Sequence, residues 1–372
     1  MYKRILNFFI IFILLYCNLS ENNDKNIHIN LILQDKEYYN FSRLVFFPEH
    51  KIILLIFFNP ESLLEYDSEK LNPSMIDFKK YEEQRKNINK KLEIFEEITG
   101  NEVNYYIQFN KDNFIRFIDF IEGLYLFLPT NLELKEQNHI HLSGNNLYFG
   151  EKLYEYISSD EYYESGNYHI ISQNKHFRFE TMLLNLIYQL RFKTDSFRKD
   201  NQLDIIYKFI NTNMNKKELQ NFFEILLENH FLILELPLVS VVNKQKNETE
   251  LFVHINKAKQ IYQETLVQLN HLNNQKEPIT LEILNASGVN RLANSVKASI
   301  DSQYYKVLAV DNFPYYLEET FLISNNGNSI ELNQLKNLLY IHEKNIFFIR
   351  RIKDVEFSYI LGKDFNIKKL SK

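Results

Sequence analysis

Residues 281–300 read Leu-Glu-Ile-Leu-Asn-Ala-Ser-Gly-Val-Asn-Arg-Leu-Ala-Asn-Ser-Val-Lys-Ala-Ser-Ile, and this stretch decides the fold of the C-terminal part of the chain. Leu281 and Ile283 alternate with outward positions, as in a half-buried strand. Asn285 and Gly288 mark a turn, because Asn and Gly tolerate positive φ. Apolar residues then recur at helical spacing, at Leu292, Val296 and Ile300. The stretch therefore predicts a strand, a turn and a helix.

The glycine of this turn stands out because glycine is rare in the chain. There are only 8 Gly among 372 residues, whereas the usual share is about 7%. A second glycine lies in a short motif near the C-terminus, where residues 360–365 read Ile-Leu-Gly-Lys-Asp-Phe. We expect the glycine of the turn, Gly288, to occupy a backbone position that other residues do not readily adopt.

Residues 283–289 and 360–365 follow one another in the order of two motifs of the LytR C-terminal domain. That small α/β module trails many LytR–CpsA–Psr cell-envelope proteins, and residues 280–368 resemble it. An ordinary βαβ unit with a tight turn is the alternative interpretation of the same residues. Either interpretation predicts a small α/β unit at the end of the chain.

Composition places the protein among globular proteins and limits its partners. With 372 residues, 45% of them hydrophobic and 24% charged, the chain is long enough for two domains. A net charge of -5 and a pI near 6.1 give no bulk attraction to nucleic acid, so we expect no nucleic-acid partner. A single Cys excludes an intramolecular disulfide framework and a Cys-based metal site.

The N-terminus has the pattern of an export segment. A basic start, Met1 to Arg4, precedes an apolar run over residues 5–16 and a polar stretch. Residues 1–24 are therefore interpreted as a signal peptide or a membrane anchor, since a spanning helix needs about 20 apolar residues. Cys17 ends the apolar run, where a lipoprotein precursor carries its acylated Cys. We expect the rest of the chain outside the cytoplasmic membrane, attached to it through residues 1–19 or through a lipid on Cys17.

The remaining chain alternates strand and helix patterns. Residues 43–47 and 51–58 predict a hairpin, and residues 158–176 predict a polar loop. Helices are predicted at 77–98, 113–121, 177–192, 203–210, 216–228 and 255–272, and strands at 27–33, 105–109, 125–128 and 232–242. The polar stretch 273–279 is the predicted linker. These patterns predict an α-β-α domain with a central mixed sheet over residues 25–272, followed by a small α/β domain over residues 280–368.

The first predicted domain resembles the catalytic domain of the LytR–CpsA–Psr family over residues 28–272. The matches, in sequence order, are Asn104-Tyr105-Tyr106, residues 114–124, residues 150–157, Arg178 and Thr212-Asn213. The resemblance implies transfer of a glycopolymer from polyprenyl pyrophosphate to a peptidoglycan hydroxyl. It also implies a diphosphate held by arginines, with Mg²⁺ on carboxylates if the enzyme is active. Polyprenyl-linked glycan or peptidoglycan is the implied partner.

The chain departs from the family at most of the charged positions. Asn59-Pro60 replaces an Arg-Asp pair, Ser158 replaces an Arg, and Asn40 lies near an expected Asp. The remaining ligand-binding candidates are Arg178, Lys175, Asp35 and Arg43, and no residue is assigned as catalytic. Each lost bond to a charged group costs about 1.5–3 kcal/mol, which predicts a lost or weakened phosphotransferase activity.

Three readings of the function follow from these residues. In the first, a degenerate family member, a pseudoenzyme, binds a polyprenyl-linked glycan or peptidoglycan without turning it over. In the second, an active phosphotransferase uses Arg43, Lys175 and Arg178 in place of the lost arginines. In the third, the protein has a purely structural role in the envelope. Close approach of the three cations beside an apolar tunnel would favour the second reading.

Overall fold

The computed structural model describes residues 26–34, 39–58, 88–134, 140–160, 168–193, 200–243, 248–270, 277–300, 302, 304–350 and 354–366. The strands are β1 (Ile27–Gln34), β2 (Tyr39–Phe47), β3 (Ile52–Phe58), β4 (Tyr105–Asn110), β5 (Leu124–Leu128), β6 (Leu132–Glu133), β7 (Ile140–His141), β8 (Gly144–Tyr148), β9 (Asn211–Thr212), β10 (His230–Leu234), β11 (Leu238–Asn243), β12 (Glu248–Val253), β13 (Ile279–Asn285), β14 (Tyr305–Asn312), β15 (Phe321–Ser324), β16 (Ile346–Phe348) and β17 (Phe357–Leu361). The α-helices are α1 (Ile88–Thr99), α2 (Lys111–Phe120), α3 (Gly150–Ser158), α4 (Tyr168–Leu190), α5 (Asp200–Phe209), α6 (Lys216–Glu228), α7 (Ile255–Asn270), α8 (Leu292–Ile300) and α9 (Ser329–Leu339).

The larger sheet has six strands in the order β10-β3-β2-β1-β4-β9. β1 pairs parallel with β4, and β3 pairs parallel with β10, whereas β2 is antiparallel to β1 and β3. The hairpin predicted from residues 43–58 is confirmed, with a 3-10 turn at Pro48–His50 between its strands. The carboxyl ends of β1, β3, β4 and β10 meet at one edge of the sheet. The predicted α/β class with a central mixed sheet is thus confirmed.

Helices cover both faces of this sheet, because side chains alternate along its strands. In β3, Ile53, Leu55 and Phe57 pack into the core formed with α2, α4, α5 and α6. Ile52, Leu54, Ile56 and Phe58 of the same strand pack on the opposite face, against α1 and α7. A strand buried on both faces is a continuous apolar run in the sequence, as residues 52–58 are.

The second sheet contains the stretch 281–300 and has the strand order β14-β13-β17-β15-β16. The predicted strand, turn and helix are confirmed as β13, a turn and α8, and β14 returns parallel to β13. Gly288 has φ +80°, and a Cβ there would lie 3.0 Å from Cε1 of Tyr316. A Cβ on Gly362 would overlap the main chain of Glu319. Both glycines of the sequence motifs are therefore required by the backbone.

Helix α4 packs against both sheets. The rings of Phe231 in the first sheet and Phe348 in the second have centroids 5.1 Å apart. Asn185 of α4 donates from Nδ2 to the Phe348 carbonyl over 2.7 Å, and Asn185 Oδ1 accepts from the Phe348 amide over 3.2 Å. One hydrophobic core therefore includes residues of both sheets. The predicted linker lies partly outside the described residues, and the domain boundaries stay a prediction.

Two predicted elements differ in the structure. The polar loop predicted at 158–176 is wrong in its second half, since α4 begins at Tyr168. The first residues of α4 are mostly polar, so no apolar periodicity indicated a helix there. The strand predicted at 232–242 is two strands in different sheets, β10 and β11, separated by a segment that contains Pro237. Pro has no amide hydrogen for a strand ladder. None of the described helices is both long and apolar enough to span a membrane, and residues 1–24 lie outside the described part.

Candidate functional site

Arg43 lies on β2 and points toward α1 and α7. Its side chain is fully buried and donates from Nε to Asn30 Oδ1 over 2.9 Å and from Nη1 to Thr99 Oγ1 over 3.3 Å. Its guanidinium carbon is 5.2 Å from the ring centroid of Phe95. Burial lowers the pKa of Arg43 to about 10, although Glu96 and Tyr262 partly oppose this. Arg43 is thus enclosed between the sheet and the helices α1 and α7.

Arg178 and Lys175 lie on the opposite face of the sheet, on α4. The Arg178 guanidinium donates to the Tyr156 carbonyl over 2.6 Å and to the Ser159 carbonyl. These carbonyls belong to the end of α3, where a helix leaves acceptors unsatisfied and where cations are favoured. Lys175 Nζ is 3.3 Å from Asp160 Oδ1. Both cations therefore bind the segment at the C-terminal end of α3.

The predicted ligand-binding residues are thus divided between two places. Arg178 and Lys175 are neighbours, Arg43 is separated from them by the sheet, and Asp35 lies outside the described residues. No clamp of three cations is formed by Arg43, Lys175 and Arg178. Within the described ranges, no group of three or more His, Cys, Asp or Glu side chains could hold a metal ion.

An apolar cavity of about 80 Å³ lies between the first sheet and α2, α4, α5 and α6. The described residues that line it are all apolar: Leu31, Ile32, Leu33, Ile107, Phe109, Phe114, Phe117, Phe179, Met182, Leu183, Leu186, Ile187, Leu190, Ile206, Ile210, Leu219, Phe222, Phe223 and Leu226. Apolar cavities of this kind stay dry and bind hydrocarbons, with about 150 Å³ sufficient for benzene. At about 80 Å³ this cavity is smaller than that, so a hydrocarbon chain would enter it only if the surrounding helices moved apart.

A buried ionic network, which sequence reasoning missed, joins α4 to the second sheet. His176 Nε2 lies 2.8 Å from Glu180 Oε1, and Arg350 Nε donates to Glu180 Oε2 over 2.9 Å. Arg350 also pairs with Glu235 and donates from Nη1 to the Asn325 carbonyl over 3.0 Å. A charged residue within the apolar face of α4 was the available signal for Glu180, whereas no sequence motif contains Arg350.

The network keeps its charges because they are paired. Burial alone would raise the pKa of Glu180, but His176 and Arg350 reverse this, and the pKa is lowered. Burial alone would lower the pKa of Arg350, but Glu180 and Glu235 outweigh it, and the pKa is raised. Glu180 and Arg350 are thus an ion pair in the interior, where desolvated charges are stable only with well-placed partners.

A cavity of about 600 Å³ opens beside this network. It lies at the carboxyl ends of β3 and β10, where α/β sheets commonly bind ligands. Its walls include Phe57, His176, Phe177, Glu180, Glu235, Pro237, Lys257, Asn326, Arg350, Asp354 and Glu356. A neighbouring cavity of about 410 Å³ shares Ile233, Glu235 and Asn326 with it. We call the two together the junction cleft.

Sequence comparisons identify no relative: no family model and no curated protein matches the chain. Among solved structures, Bacillus subtilis TagV is similar at 12% identity and a TM-score of 0.48, over 66% of this chain and 98% of TagV. A transcriptional regulator from Enterococcus faecalis is similar at 11% identity and a TM-score of 0.48, over 67% of this chain and 90% of that one. TagT bound to LIIa-WTA is similar at 11% identity and a TM-score of 0.47, over 67% and 92%. With such low identities, function has to be inferred from the residues of this chain.

Proposed function

We propose that this chain is an exported cell-envelope protein of the LytR–CpsA–Psr type that binds a polyprenyl-linked glycan with little or no transfer of the glycan. Residues 1–24 direct it out of the cytoplasm, and either they or a lipid on Cys17 attach it to the membrane. Peptidoglycan is its second partner. Its C-terminal unit is of the LytR C-terminal type.

The apolar cavity carries this proposal. Among the residues that the structure describes, its wall contains leucine, isoleucine, methionine and phenylalanine and no polar residue. Burying hydrocarbon releases roughly 25 cal/mol per Å², whereas a polar group placed there would lose its hydrogen bonds with water. An isoprenoid tail gains free energy in this wall, and a sugar or a phosphate does not.

The positions of the cations support weak or absent transfer. Phosphoryl chemistry requires cations around the diphosphate, where they stabilise the developing charge. Arg43 is enclosed between the sheet and α1, and Arg178 donates to the end of α3. Both arginines already serve the fold, so a ligand diphosphate would have to compete with these contacts. Asn59 and Ser158, which stand where the family pattern has charged residues, also favour weak or absent transfer.

Lipid binding is tested on the full chain in detergent by native mass spectrometry. The probe is a polyprenyl phosphate, and a short alkyl phosphate with the same head group is the competitor that lacks the tail. Leu186→Trp fills the cavity and should weaken polyprenyl phosphate binding about tenfold, which corresponds to 1.4 kcal/mol. Val267→Trp is the matched control, because Val267 is 58% exposed on α7.

The outcome is read together with the thermal unfolding midpoint of each variant, and Met182→Phe replaces Leu186→Trp if the latter does not fold. Equal binding of both lipids, or equal binding by the cavity-filling variant, would overturn the lipid assignment. Phosphate release from a polyprenyl pyrophosphate substrate with Mg²⁺, at the rate of an intact family member, would overturn the assignment of weak transfer.

A further inference from the structure

The apolar cavity is only one helix away from solvent on the side of α5. Ile206 of α5 is fully buried and lines the cavity, whereas its neighbour Ile205 is 36% exposed. At about 80 Å³ the cavity has about half the volume that is sufficient for benzene. A hydrocarbon chain can enter only if part of the wall moves, so the attachment of each wall helix decides the entry route.

Helix α4 is attached to its neighbours by pairs of hydrogen bonds. Asn185 donates to the Phe348 carbonyl over 2.7 Å and accepts from the Phe348 amide over 3.2 Å. Gln189 accepts from the Tyr125 amide over 2.9 Å and donates to the Tyr125 carbonyl over 2.6 Å. A displacement of α4 would break both pairs and leave main-chain groups of two strands without partners. We therefore treat α4 as a fixed wall.

Helices α2 and α6 are also tied to other parts of the fold. Asp119 of α2 accepts from the Gly150 amide at the start of α3 over 2.8 Å. Glu218 of α6 accepts from the Tyr105 hydroxyl of β4 over 3.2 Å. The carbonyl that follows α6 accepts from Arg191. Each of these helices thus has polar contacts with elements that are distant in the sequence.

Helix α5 has no comparable attachment among the described contacts. Within residues 202–210, the side-chain hydrogen bonds and ion pairs are those of Tyr207 with the Met214 carbonyl, over 3.0 Å, and of Asp204 with Lys216. The ion pair is at the surface, with side chains 50% and 62% exposed, and such pairs add little stability. Both contacts reach only the segment that follows α5. Apolar packing therefore holds α5 on the cavity.

The chain that leaves α5 is bound firmly to the first sheet. Thr212 pairs with Ile107 of β4, and its hydroxyl donates to the Tyr106 carbonyl over 2.5 Å. Asn213 accepts from the Tyr106 amide over 2.9 Å and donates to the Asn104 carbonyl over 3.1 Å. The Thr212-Asn213 pair of the sequence pattern thus fixes the C-terminal end of α5 and provides a pivot for this helix.

We propose that α5 is the lid of the apolar cavity, and that it undocks about the pivot at Thr212-Asn213 to admit a hydrocarbon chain. The hydrocarbon rests on the proposed function, whereas the choice of the moving helix rests on the contacts of the four wall helices. Isolated helices shorter than about 12–15 residues are marginal in water, and α5 has 10. Undocking therefore also unfolds α5, so that hydrogen exchange and helix propensity both report on lid opening.

The first test is amide hydrogen exchange of the full chain in detergent, without ligand, followed by mass spectrometry. After correction for intrinsic rates, residues 203–209 should exchange about tenfold faster than residues 183–190 of α4 and 219–226 of α6, because only α5 opens locally. Polyprenyl phosphate should raise the exchange of α5 further, since the bound chain displaces it, and a short alkyl phosphate should not. Equal protection of α5 and α6, or a ligand effect confined to other helices, would overturn the proposal.

The second test loosens the lid without changing the cavity wall. Lys208 is exposed near the end of α5, and Lys208→Gly should raise lid opening about fivefold through lost helix propensity and a lost cation at the helix end. The affinity for polyprenyl phosphate, measured by native mass spectrometry, should rise by about the same factor, because it scales with the open fraction. Glu224→Gly is the matched control, an exposed position of α6 at which the affinity should not rise.

If Lys208→Gly does not fold, Lys216→Glu replaces the ion pair with Asp204 by repulsion and should raise the affinity about threefold. Lys217→Glu, the same change at the next exposed residue, is its control. Unchanged or lower affinity in a folded lid variant would overturn the lid and leave the lipid assignment intact. Fast exchange of α5 in a chain that binds no polyprenyl phosphate would instead remove the lipid assignment, and with it the ligand of the lid.

Discussion

Arg43 and Arg350 are both buried, and they stand in opposite electrostatic surroundings. Arg43 is 0% exposed and Arg350 is 7% exposed. The described hydrogen-bond acceptors of Arg43 are the neutral oxygens of Asn30, Thr99 and Asn101. Arg350 is paired with two carboxylates. The pKa of Arg43 is lowered to about 10, whereas the pKa of Arg350 is raised.

Arg43 is therefore a buried charge that destabilises the folded state. Arg350 is a buried charge that holds the second sheet against α4. Arg350 joins the second sheet to α4 and to the end of β10, and its removal would leave Glu180 charged in the interior. Removal of Arg43 would leave only neutral oxygens without a donor. It would also remove a desolvated cation, whose burial is unfavourable. The same substitution should therefore have very different effects at the two arginines.

The largest expected effect is that of Arg350→Met, which we expect to destabilise the protein by about 3–5 kcal/mol, as breaking one side of a buried ion pair does. The matched change, Arg43→Met, should cost about 1 kcal/mol, because it orphans neutral groups only. Both variants are measured by urea denaturation at pH 7, with the free energy of unfolding as the readout.

A cost for Arg43→Met equal to that of Arg350→Met would contradict the distinction and would show that Arg43 compensates a buried negative charge. Glu180→Gln combined with Arg350→Met provides a further control. The double variant should be more stable than the sum of the two single losses predicts, because the unpaired carboxylate is gone.

The two arginines also show how far the sequence alone could go. The strand β2 that contains Arg43 and the strand β3 beside it were predicted, because their patterns are local in the sequence. The surroundings of Arg43 were not predicted, since Thr99 lies 56 residues away along the chain. Periodicity shows that a residue is in a strand but does not show what covers the strand.

The junction cleft could not be predicted from the sequence for the same reason. Glu180 and Arg350 are separated by 170 residues, and no motif connects them. Of the residues that the sequence did select, the structure places Arg43 on one face of the sheet and Lys175 and Arg178 on the other, and Asp35 lies outside the described residues. The turn at Gly288 was predictable, because the positive φ that it requires is met by a glycine within the turn and does not depend on distant residues.

The second expected effect concerns His28, which lies on the same face of the sheet as Arg43. Burial, and then the charge of Arg43, lowers the pKa of His28 from 6.5 to about 4. The unfolded chain therefore binds more protons than the folded one between these values, and stability should fall as the pH falls from 6.5 to about 4. The loss should approach about 3 kcal/mol, at 1.36 kcal/mol for each pKa unit.

His28→Phe keeps a ring and loses no described side-chain hydrogen bond, since both ring nitrogens of His28 are unpartnered. Its free energy of unfolding should fall less steeply than that of the original chain over this pH range. Val267→Phe, a change at an exposed residue of α7 that does not titrate, should leave the slope unchanged. The same slope in all three proteins would show that His28 is not the group that titrates.

The smallest expected effect is at Tyr262, which is 1% exposed in α7 and whose hydroxyl has no hydrogen-bond partner. Burial raises its pKa to about 12. Tyr262→Phe should be neutral or stabilise the protein by up to about 1 kcal/mol, because it removes an unsatisfied buried hydroxyl.

Tyr207→Phe is the matched control: Tyr207 donates to the Met214 carbonyl over 3.0 Å, and its loss should cost about 1 kcal/mol. Equal costs for the two changes, by urea denaturation, would mean that the Tyr262 hydroxyl is satisfied by ordered water. The region around Arg43 would then be a hydrated polar cluster. Water would stabilise the buried charge of Arg43, whereas carboxylates stabilise that of Arg350.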